Sequence, residues 1–264
     1  MISNHIPIKT AEEIAIMHEG GRRLRQISDQ LYGLCQAGRS LRELDQIARQ
    51  LIRQAGGQPA FLGYRANGSR RPFSAAICTS LNAVVVHGLP TDYRLQSDDL
   101  LKVDIGLLYQ GYYTDTAFTV IINPENVRGI RKKAGRKERL IEVTREALME
   151  AIKLCWPGKF LGDIGTVISK RVRQNGFTVI RDLTGHGIGQ KLHEQPTVFN
   201  EGLWQEGVEL KEGMVLAIEP MVSAGSAQVV RQPDDSYVTV DGSLSAHFEE
   251  TVAITKNGPL VLTR

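Results

Sequence analysis

Two aspartates lie on either side of a turn signal in residues 102–120, KVDIGLLYQGYYTDTAFTV. Apolar residues alternate with other residues before and after the turn, which is typical of a β-hairpin. A two-residue turn at Tyr109-Gln110 would place Asp104 and Asp115 directly opposite each other, whereas a turn at Gln110-Gly111 would make them diagonal neighbours. In either register the two carboxylates share one face, with their Cβ atoms roughly 5–8 Å apart.

Like charges on neighbouring strands destabilise a sheet, and buried carboxylates must be paired or bind a metal. The hairpin therefore has two interpretations. Either the aspartates are exposed residues near the turn of an edge hairpin, or a cation lies between them. The hairpin alone leaves both interpretations open, so the polar residues in the rest of the chain decide between them.

Three more candidate ligands occur in the second half of the chain. His186 is flanked by glycines in TGHGIG, Glu219 ends the apolar run MVLAIEP, and Glu249 lies within the strand-like run LSAHFEETVAIT. Singly, each has a simpler explanation, such as a turn histidine or a glutamate that pairs with an arginine. Together with the two aspartates they make four carboxylates and one imidazole, a set that is untenable in one place without a cation.

The composition of this ligand set indicates which ions it could hold. Oxygen donors with one imidazole and no thiolate suit hard or borderline divalent ions. Five ligands that include shared carboxylates fit a pair of metals about 3.5–4 Å apart, which together activate a bridging water. The ligand types therefore favour a two-metal centre.

Amphipathic helices are predicted around these strands. Capping boxes begin one helix at Thr10 and another at Ser40, and two further helices are predicted at about 138–155 and 162–174. Besides the hairpin, strands are predicted at about 74–78, 84–86, 214–220 and 244–255.

The chain repeats this arrangement at a constant offset of 120 residues. Gly38 matches Gly158, and Gly56 matches Gly176, each pair flanking a short amphipathic helix. Chance similarity is the alternative explanation, because helix periodicity alone aligns apolar positions. If the repeat is real, the halves lie at roughly 10–123 and 137–264 and share one site.

Composition and charge narrow the class of protein. Of 264 residues, 42% are hydrophobic and 23% charged, which are values of an ordinary soluble globular protein. No apolar run approaches the roughly 20 residues that a transmembrane helix needs, and no secretion signal precedes the first helix. Three widely spaced cysteines without a CxxC motif are typical of the reducing cytosol. No long exposed apolar stripe stands out, so we expect a monomer.

The net charge of +3 is too small to indicate nucleic-acid binding by itself. Much of the excess lies in the basic run 128–139, RGIRKKAGRKER, which has seven basic residues and one acidic residue. This run is either a solvated loop that leads into a helix or a patch that meets an anionic surface such as RNA.

Seven short sequence motifs contain these residues and follow one another in the order VVVHGLP, KVDIG, YTDTA, TGHGIG, LHEQP, AIEP and SAHFEETV. The chain resembles the type I methionine aminopeptidases over nearly its whole length. The resemblance implies an α+β pita-bread fold, in which one catalytic domain (1–264) is internally duplicated about a pseudo-twofold axis. Antiparallel sheets then carry the helices on their outer face.

The resemblance also implies the activity. It indicates a cytoplasmic metallo-aminopeptidase that uses two divalent metal ions (Co, Mn, Fe or Zn). Its substrates would be the N-termini of nascent polypeptides, from which it removes the initiator methionine when the second residue is small and uncharged. A transient contact with the ribosome through the basic run 128–139 is a further hypothesis.

The family pattern implies a metal role for each candidate ligand. Asp104 resembles a ligand of one metal, and Asp115 and Glu249 resemble ligands that bridge both metals. His186 and Glu219 resemble ligands of the other metal.

Catalytic and substrate-binding roles are implied in the same way. Glu219 would assist proton transfer from water, His193 would stabilise the tetrahedral intermediate, and His87 would contact the substrate near the scissile amide. The residues that resemble the pocket for the methionine side chain are Tyr64, Cys78 and Phe73.

The chain departs from the family pattern at three positions. Leu192 precedes the second substrate histidine, where an aromatic residue is frequent. Tyr237 stands in a region where a tryptophan is frequent, and Glu250 stands where the family usually has histidine. These departures concern the shape of the pocket and not the expected metal ligands.

Two alternative functions remain at this point. A proline-specific or creatinase-like hydrolase of the same fold usually carries a large N-terminal domain, whereas only about ten residues precede the first helix here. A metal-free adaptor of the same fold would have lost ligand residues, whereas all five are present.

Overall fold

Four helices and fifteen strands make up the described part of the chain in this computed structural model, which covers residues 5–66, 68–122 and 135–264. The helices are α1 (Ala11–Leu34), α2 (Leu41–Gln54), α3 (Arg136–Ile152) and α4 (Leu161–Gln174). The strands are β1 (Gln58–Pro59), β2 (Ile77–Leu81), β3 (Val84–Val86), β4 (Leu100–Tyr109), β5 (Tyr112–Ile121), β6 (Thr178–Val179), β7 (Gly185–Gly187), β8 (Glu194–Val198), β9 (Val215–Ile218), β10 (Met221–Ser223), β11 (Val229–Arg231), β12 (Tyr237–Thr239), β13 (Ser245–His247), β14 (Glu249–Thr255) and β15 (Gly258–Val261).

The largest sheet has nine strands and joins the two halves of the chain. Its order is β1-β4-β5-β14-β9-β7-β8, with β2 paired to β4 and β15 paired to β14. The paired strands run antiparallel throughout the described residues. Two three-stranded sheets, β13-β10-β6 and β11-β12-β3, contain the remaining strands. The expected α+β class with antiparallel sheets is therefore confirmed.

The helices cover one face of the large sheet. On β4, Val103 and Ile105 are buried in an apolar cluster with residues of α1 and α2. On β14, Val252 and Ile254 are buried in a second cluster with residues of α3 and α4. Because successive strand residues point to opposite faces, Asp104 projects away from this core. The packing of helices on the outer face thus leaves the polar residues on the inner face.

The predicted duplication is visible in matched helices. α2 and α4 are both 14 residues long, and both ends of α4 follow those of α2 by 120 positions. Gly38 and Gly158 precede them with φ of 86° and 83°, and Gly56 and Gly176 follow them with φ of 74° each. Positive φ is the conformation that favours glycine, so these glycines end equivalent turns. The residue limits of the halves, and the single domain, stay predictions.

Two predicted strands have different limits in the structure. β2 begins at Ile77 and not at residue 74, because the carboxylate of Asp45 accepts the N–H groups of Ala76 and Ile77 just before the strand. The run predicted at 244–255 is broken at Phe248, so that β13 pairs with β10 whereas β14 pairs with β5 and β9. Contacts with distant residues decided both limits: side-chain hydrogen bonds for β2, and strand pairing for β13 and β14.

Part of the basic run 128–139 lies outside the described residues, which resume at residue 135. Within the described end of the run, Lys137 forms an ion pair with Asp98, and Arg139 donates to the side-chain oxygen of Asn175. These side chains therefore contact the protein itself, and the ribosome contact stays a hypothesis. Among the described residues, none of the helices combines the length and apolar character that crossing a bilayer requires.

Candidate metal centre and active site

The turn of the β4–β5 hairpin lies at Gln110-Gly111. Both residues have positive φ, 48° and 86°, as a two-residue type I′ turn requires. Tyr109 therefore pairs with Tyr112, Asp104 pairs with Ala117, and Asp115 pairs with Gly106. The two aspartates are diagonal neighbours on one face, which is the second of the two registers considered from the sequence.

Glu249 reaches the same face from the next strand. Ala117 pairs with Asp104 on one side and with Glu249 of β14 on the other, so the three residues form a row across three strands. Asp115 lies two residues before Ala117 and therefore points the same way. The side-chain hydroxyl of Thr251 donates to the carbonyl of Asp115 and accepts its N–H, which fixes the backbone beside this carboxylate.

His186 and Glu219 complete this face by the same alternation. Thr251, two residues after Glu249, pairs with Ala217, and Ala217 pairs with His186 of β7. Glu219 follows Ala217 by two positions, just after β9 ends. Pairing and alternation thus place the five candidate ligands on one face of the sheet.

This face opens into a cavity of about 1260 Å³. The cavity lining includes all ten residues that the sequence assigned to metal or substrate, which are Tyr64, Phe73, Cys78, His87, Asp104, Asp115, His186, His193, Glu219 and Glu249.

The four carboxyl groups lie next to one another, with Asp115 and Glu249 buried and Asp104 and Glu219 partly exposed to the cavity. Burial, and then the charge of Glu219, raise the pKa of Asp104 to about 7. Burial also raises the pKa of Asp115, Glu219 and Glu249 well above the usual range, with repulsion between these carboxylates as the next cause. Without a cation, several of these groups keep a proton at neutral pH.

Unpaired atoms test whether this site fits a metal. Asp104 Oδ1 and Glu249 Oε1 are buried without a hydrogen-bond partner. One donor atom from each of Asp115, His186 and Glu249 lies within 4.8 Å of the others, and Glu249 also belongs to such a group with Glu219 and His247. Two overlapping donor groups that share a carboxylate fit divalent-metal binding, and Asp104 belongs to neither group.

His186 has the protonation state and tautomer of a metal ligand. Its Nδ1 lies 2.9 Å from the carbonyl oxygen of Gly187, and its Nε2 lies 3.6 Å from Glu219 Oε1. Burial lowers the pKa of His186 to about 4, so the ring is neutral at pH 7. Since Nδ1 donates its hydrogen to the carbonyl, Nε2 presents a free lone pair among the carboxylates.

His193 is held by Tyr64 at the side of the cavity. The Tyr64 hydroxyl lies 2.5 Å from His193 Nδ1, and the ring centroids of His193 and His186 are 4.2 Å apart. A hydroxyl that donates to Nδ1 leaves the ring hydrogen on Nε2. Tyr64, which was assigned to the methionine pocket from the sequence, thus has a polar partner in addition to its place in the cavity wall.

His87 is positioned by an unusual backbone. It leaves β3 with a φ of 60°, and its ring centroid lies 5.7 Å from that of Tyr237. At Gly88, a side chain would begin 2.4 Å from the carbonyl oxygen of Thr79, so only glycine fits there. Tyr237, which stands in the region where the resemblance indicated a frequent tryptophan, packs edge-on against this histidine.

Cys78 and Phe73 form other parts of the wall. Cys78 is buried and pairs with Asp104 across β2 and β4, which places the thiol next to a candidate ligand. Burial raises the pKa of the Cys78 thiol well above its usual value, so it stays protonated. Phe73 packs edge-on against Phe61 with ring centroids 6.4 Å apart.

Three polar residues near this region had no predicted role: His247, Lys9 and Glu194. His247 was given no role, although alternation along the run puts it on the same side as Glu249. Lys9 and Glu194 form a buried ion pair in the cavity lining, and nothing in their spacing could have signalled this pairing. Glu250, which departs from the family pattern, is buried on the opposite face of β14 and pairs with Arg264.

Similarity to known proteins identifies the family of this chain. The model of metallopeptidase family M24 matches residues 15–256. The chain belongs to metallopeptidase family M24. Methionine aminopeptidase 1 of Bacillus subtilis is 42% identical to this family member over 257 residues, which are 97% of this chain and 98% of the relative. The expected family resemblance is therefore confirmed.

Solved structures agree with this assignment to family M24. The crystal structure of methionine aminopeptidase from Thermotoga maritima matches with a TM-score of 0.90 and 40% identity, covering 98% of this chain and 100% of that chain. A prolidase from Pyrococcus furiosus matches with a TM-score of 0.75 and 23% identity over 97% of this chain and 65% of that chain, which reflects a shared fold alone. The pita-bread fold expected from the sequence is confirmed.

Proposed function

We propose that this chain removes the N-terminal methionine from nascent polypeptides and acts on substrates whose second residue is small and uncharged. The observation that carries the proposal is the meeting of four carboxyl groups and a neutral imidazole in one cavity, in a chain similar to methionine aminopeptidases. We further propose that the whole chain is one catalytic domain that works as a monomer in the cytoplasm, where nascent chains are available.

The proposed metal ligands are Asp104, Asp115, His186, Glu219 and Glu249, with Asp115 and Glu249 shared between two ions. Co, Mn, Fe and Zn all accept such a set of oxygens with imidazole. When bound, divalent ions in such a centre polarise the scissile carbonyl and lower the pKa of water.

The chain's own residues supply proton transfer and orientation. Glu219 assists removal of a proton from the attacking water, since its carboxylate lines the cavity beside His186. His193 donates its Nε2–H to the oxygen on which negative charge develops, as an oxyanion donor does. His87 lines the same cavity and contacts the substrate near the scissile amide.

Tyr64→Phe is expected to lower kcat about tenfold, which is less than the roughly 10²–10³ that loss of an oxyanion donor itself costs. The variant keeps the ring in the cavity wall but removes the hydroxyl that fixes the His193 tautomer. Steady-state kinetics with Met-Ala-Ser, together with metal content, measure this effect. Phe73→Leu serves as the control, because it alters the wall alone and should change KM more than kcat. If Tyr64→Phe leaves kcat unchanged and raises KM, Tyr64 contributes only to the cavity wall and not to the orientation of His193.

Peptide selectivity tests the proposed function against other hydrolases of this fold. Metal-loaded protein is incubated with Met-Ala-Ser, with Met-Trp-Ser and with Ala-Pro. We expect methionine release from Met-Ala-Ser, much slower release from Met-Trp-Ser and no cleavage of Ala-Pro. Cleavage of Ala-Pro without methionine release would instead support a proline-specific peptidase, and equal rates on both methionine peptides would overturn the preference for a small second residue.

A further inference from the structure

His247 is a buried imidazole beside the metal centre that the proposed mechanism does not use. Its exposure is 1%, and neither ring nitrogen has a hydrogen-bond partner in the described structure. A neutral imidazole carries one N–H donor and one acceptor, and burying both unpaired is unfavourable. Such a group calls for a partner that completes its hydrogen bonding.

The carboxylates of the metal centre are the nearest candidates for that partner. His247 Nε2 lies 3.3 Å from Glu219 Oε2 and 4.0 Å from Glu249 Oε2. The other oxygen of Glu219, Oε1, lies 3.6 Å from His186 Nε2. Glu219 is therefore flanked by two imidazoles, one near each oxygen.

The imidazoles of His186 and His247 differ in whether they line the cavity. His186, Glu219 and Glu249 line the cavity, whereas His247 does not belong to its lining. His247, the last residue of β13, thus approaches Glu219 from within the protein and not from the cavity.

We propose that His247 is a positioning residue that donates its Nε2–H to Glu219 Oε2 and so orients Glu219 for metal binding. A nitrogen that faces carboxylate oxygens is stabilised in its N–H form, which favours this tautomer. The hydrogen bond would leave Oε1 of Glu219, the oxygen near His186, free to hold a metal ion. Outer partners of this kind typically contribute a factor of about 10–100 to metal affinity. The inference rests on the proposed metal centre.

Three substitutions separate a positioning donor from a direct ligand. His247→Gln keeps an amide N–H near the place of Nε2 but is a poor metal ligand. His247→Asn keeps an amide that is too short to reach Glu219, and His247→Leu removes all hydrogen bonding. Binding of Mn²⁺ and of Co²⁺ to the metal-free full chain is measured by titration calorimetry, so that the readout does not depend on activity.

We expect His247→Leu and His247→Asn to weaken metal binding about 10–100-fold, and His247→Gln to stay within about threefold of the parent chain. Equal weakening by all three substitutions would contradict the positioning role and favour direct ligation. His247 would have no role in the metal centre if His247→Asn binds metal as tightly as the parent chain and His247→Leu either does the same or fails to fold. If the parent chain binds no metal, the proposed function itself fails, which is a different result from a lack of response to substitution at residue 247.

Discussion

Asp115→Asn is expected to abolish methionine release and to lower the number of metal ions bound per chain. Asp115 is 4% exposed, and its carboxylate lies within 4.8 Å of donor atoms of His186 and Glu249. A neutral amide cannot bridge two cations as a carboxylate does. The loss of activity should therefore exceed the roughly 100-fold that removal of an outer partner of a metal ligand costs.

The measurement is methionine release from Met-Ala-Ser with Mn²⁺ or Co²⁺, together with elemental analysis of the loaded protein. Asp235→Asn is a matched control, because Asp235 also lines the cavity but forms an ion pair with Arg231 2.8 Å away. We expect this control to keep its metal content. Full activity in Asp115→Asn, or the same loss of metal in both variants, would contradict a bridging role for Asp115.

The metal-free protein is expected to lose stability as the pH rises from about 6.5 to 8.5. Burial raises the pKa of Asp104 to about 7 and that of the other three carboxyl groups well above the usual range. The native state then holds protons that the unfolded chain has released. The stability that this provides is present at low pH and is lost as pH rises through the native pKa values.

The buried histidines change stability with pH in the opposite direction, but only at lower pH. Burial lowers the pKa of His186 to about 4 and that of His247 to about 3, whereas the unfolded chain titrates near 6.5. Below about pH 6.5 they make stability rise with pH, and above it they are neutral in both states. Above pH 6.5 the carboxyl groups lower stability as pH rises, by about 1.4 kcal/mol per pH unit for each proton retained. Burial lowers the pKa of Lys102, so this lysine opposes the carboxyl groups by at most one proton.

Urea unfolding of chelated protein across this pH range measures the slope. Saturation with Mn²⁺ should remove most of this slope, because the ions replace the protons. A metal concentration of a hundred times Kd also adds about 2.7 kcal/mol to the free energy of unfolding. Asp115→Asn should show a smaller slope and a smaller effect of chelator, since one buried charge is gone. A pH-independent free energy of unfolding in the chelated parent chain would mean that these acids do not repel one another.

Local signals in the sequence predicted much of the fold. The capping boxes at Thr10 and Ser40 are formed as expected, because the cap and the glutamate that completes it lie within one turn of helix. The hairpin of Asp104 and Asp115 was also predictable, although its register was not. Gln110-Gly111 became the turn because glycine at the second position suits positive φ.

The remaining features of the site depend on contacts between distant residues. The bond between Tyr64 and His193 joins positions 129 apart, and no periodicity encodes it. His247 shares a face with Glu249 by alternation, but its contact with Glu219, on another part of the chain, has no signal in the sequence. Sequence patterns therefore indicated which residues meet, and the three-dimensional structure decided how their polar atoms are paired.

Methionine release as a function of bound metal is the decisive measurement of the proposed metal-dependent activity. Chelated full-length protein, shown to be folded, is titrated with Mn²⁺ or with Co²⁺, and release from Met-Ala-Ser is followed beside the number of ions bound per chain. We predict no release without metal and full release when two ions are bound per chain. No release from folded, metal-loaded protein with either ion, or undiminished release after the metal is removed, would contradict the account.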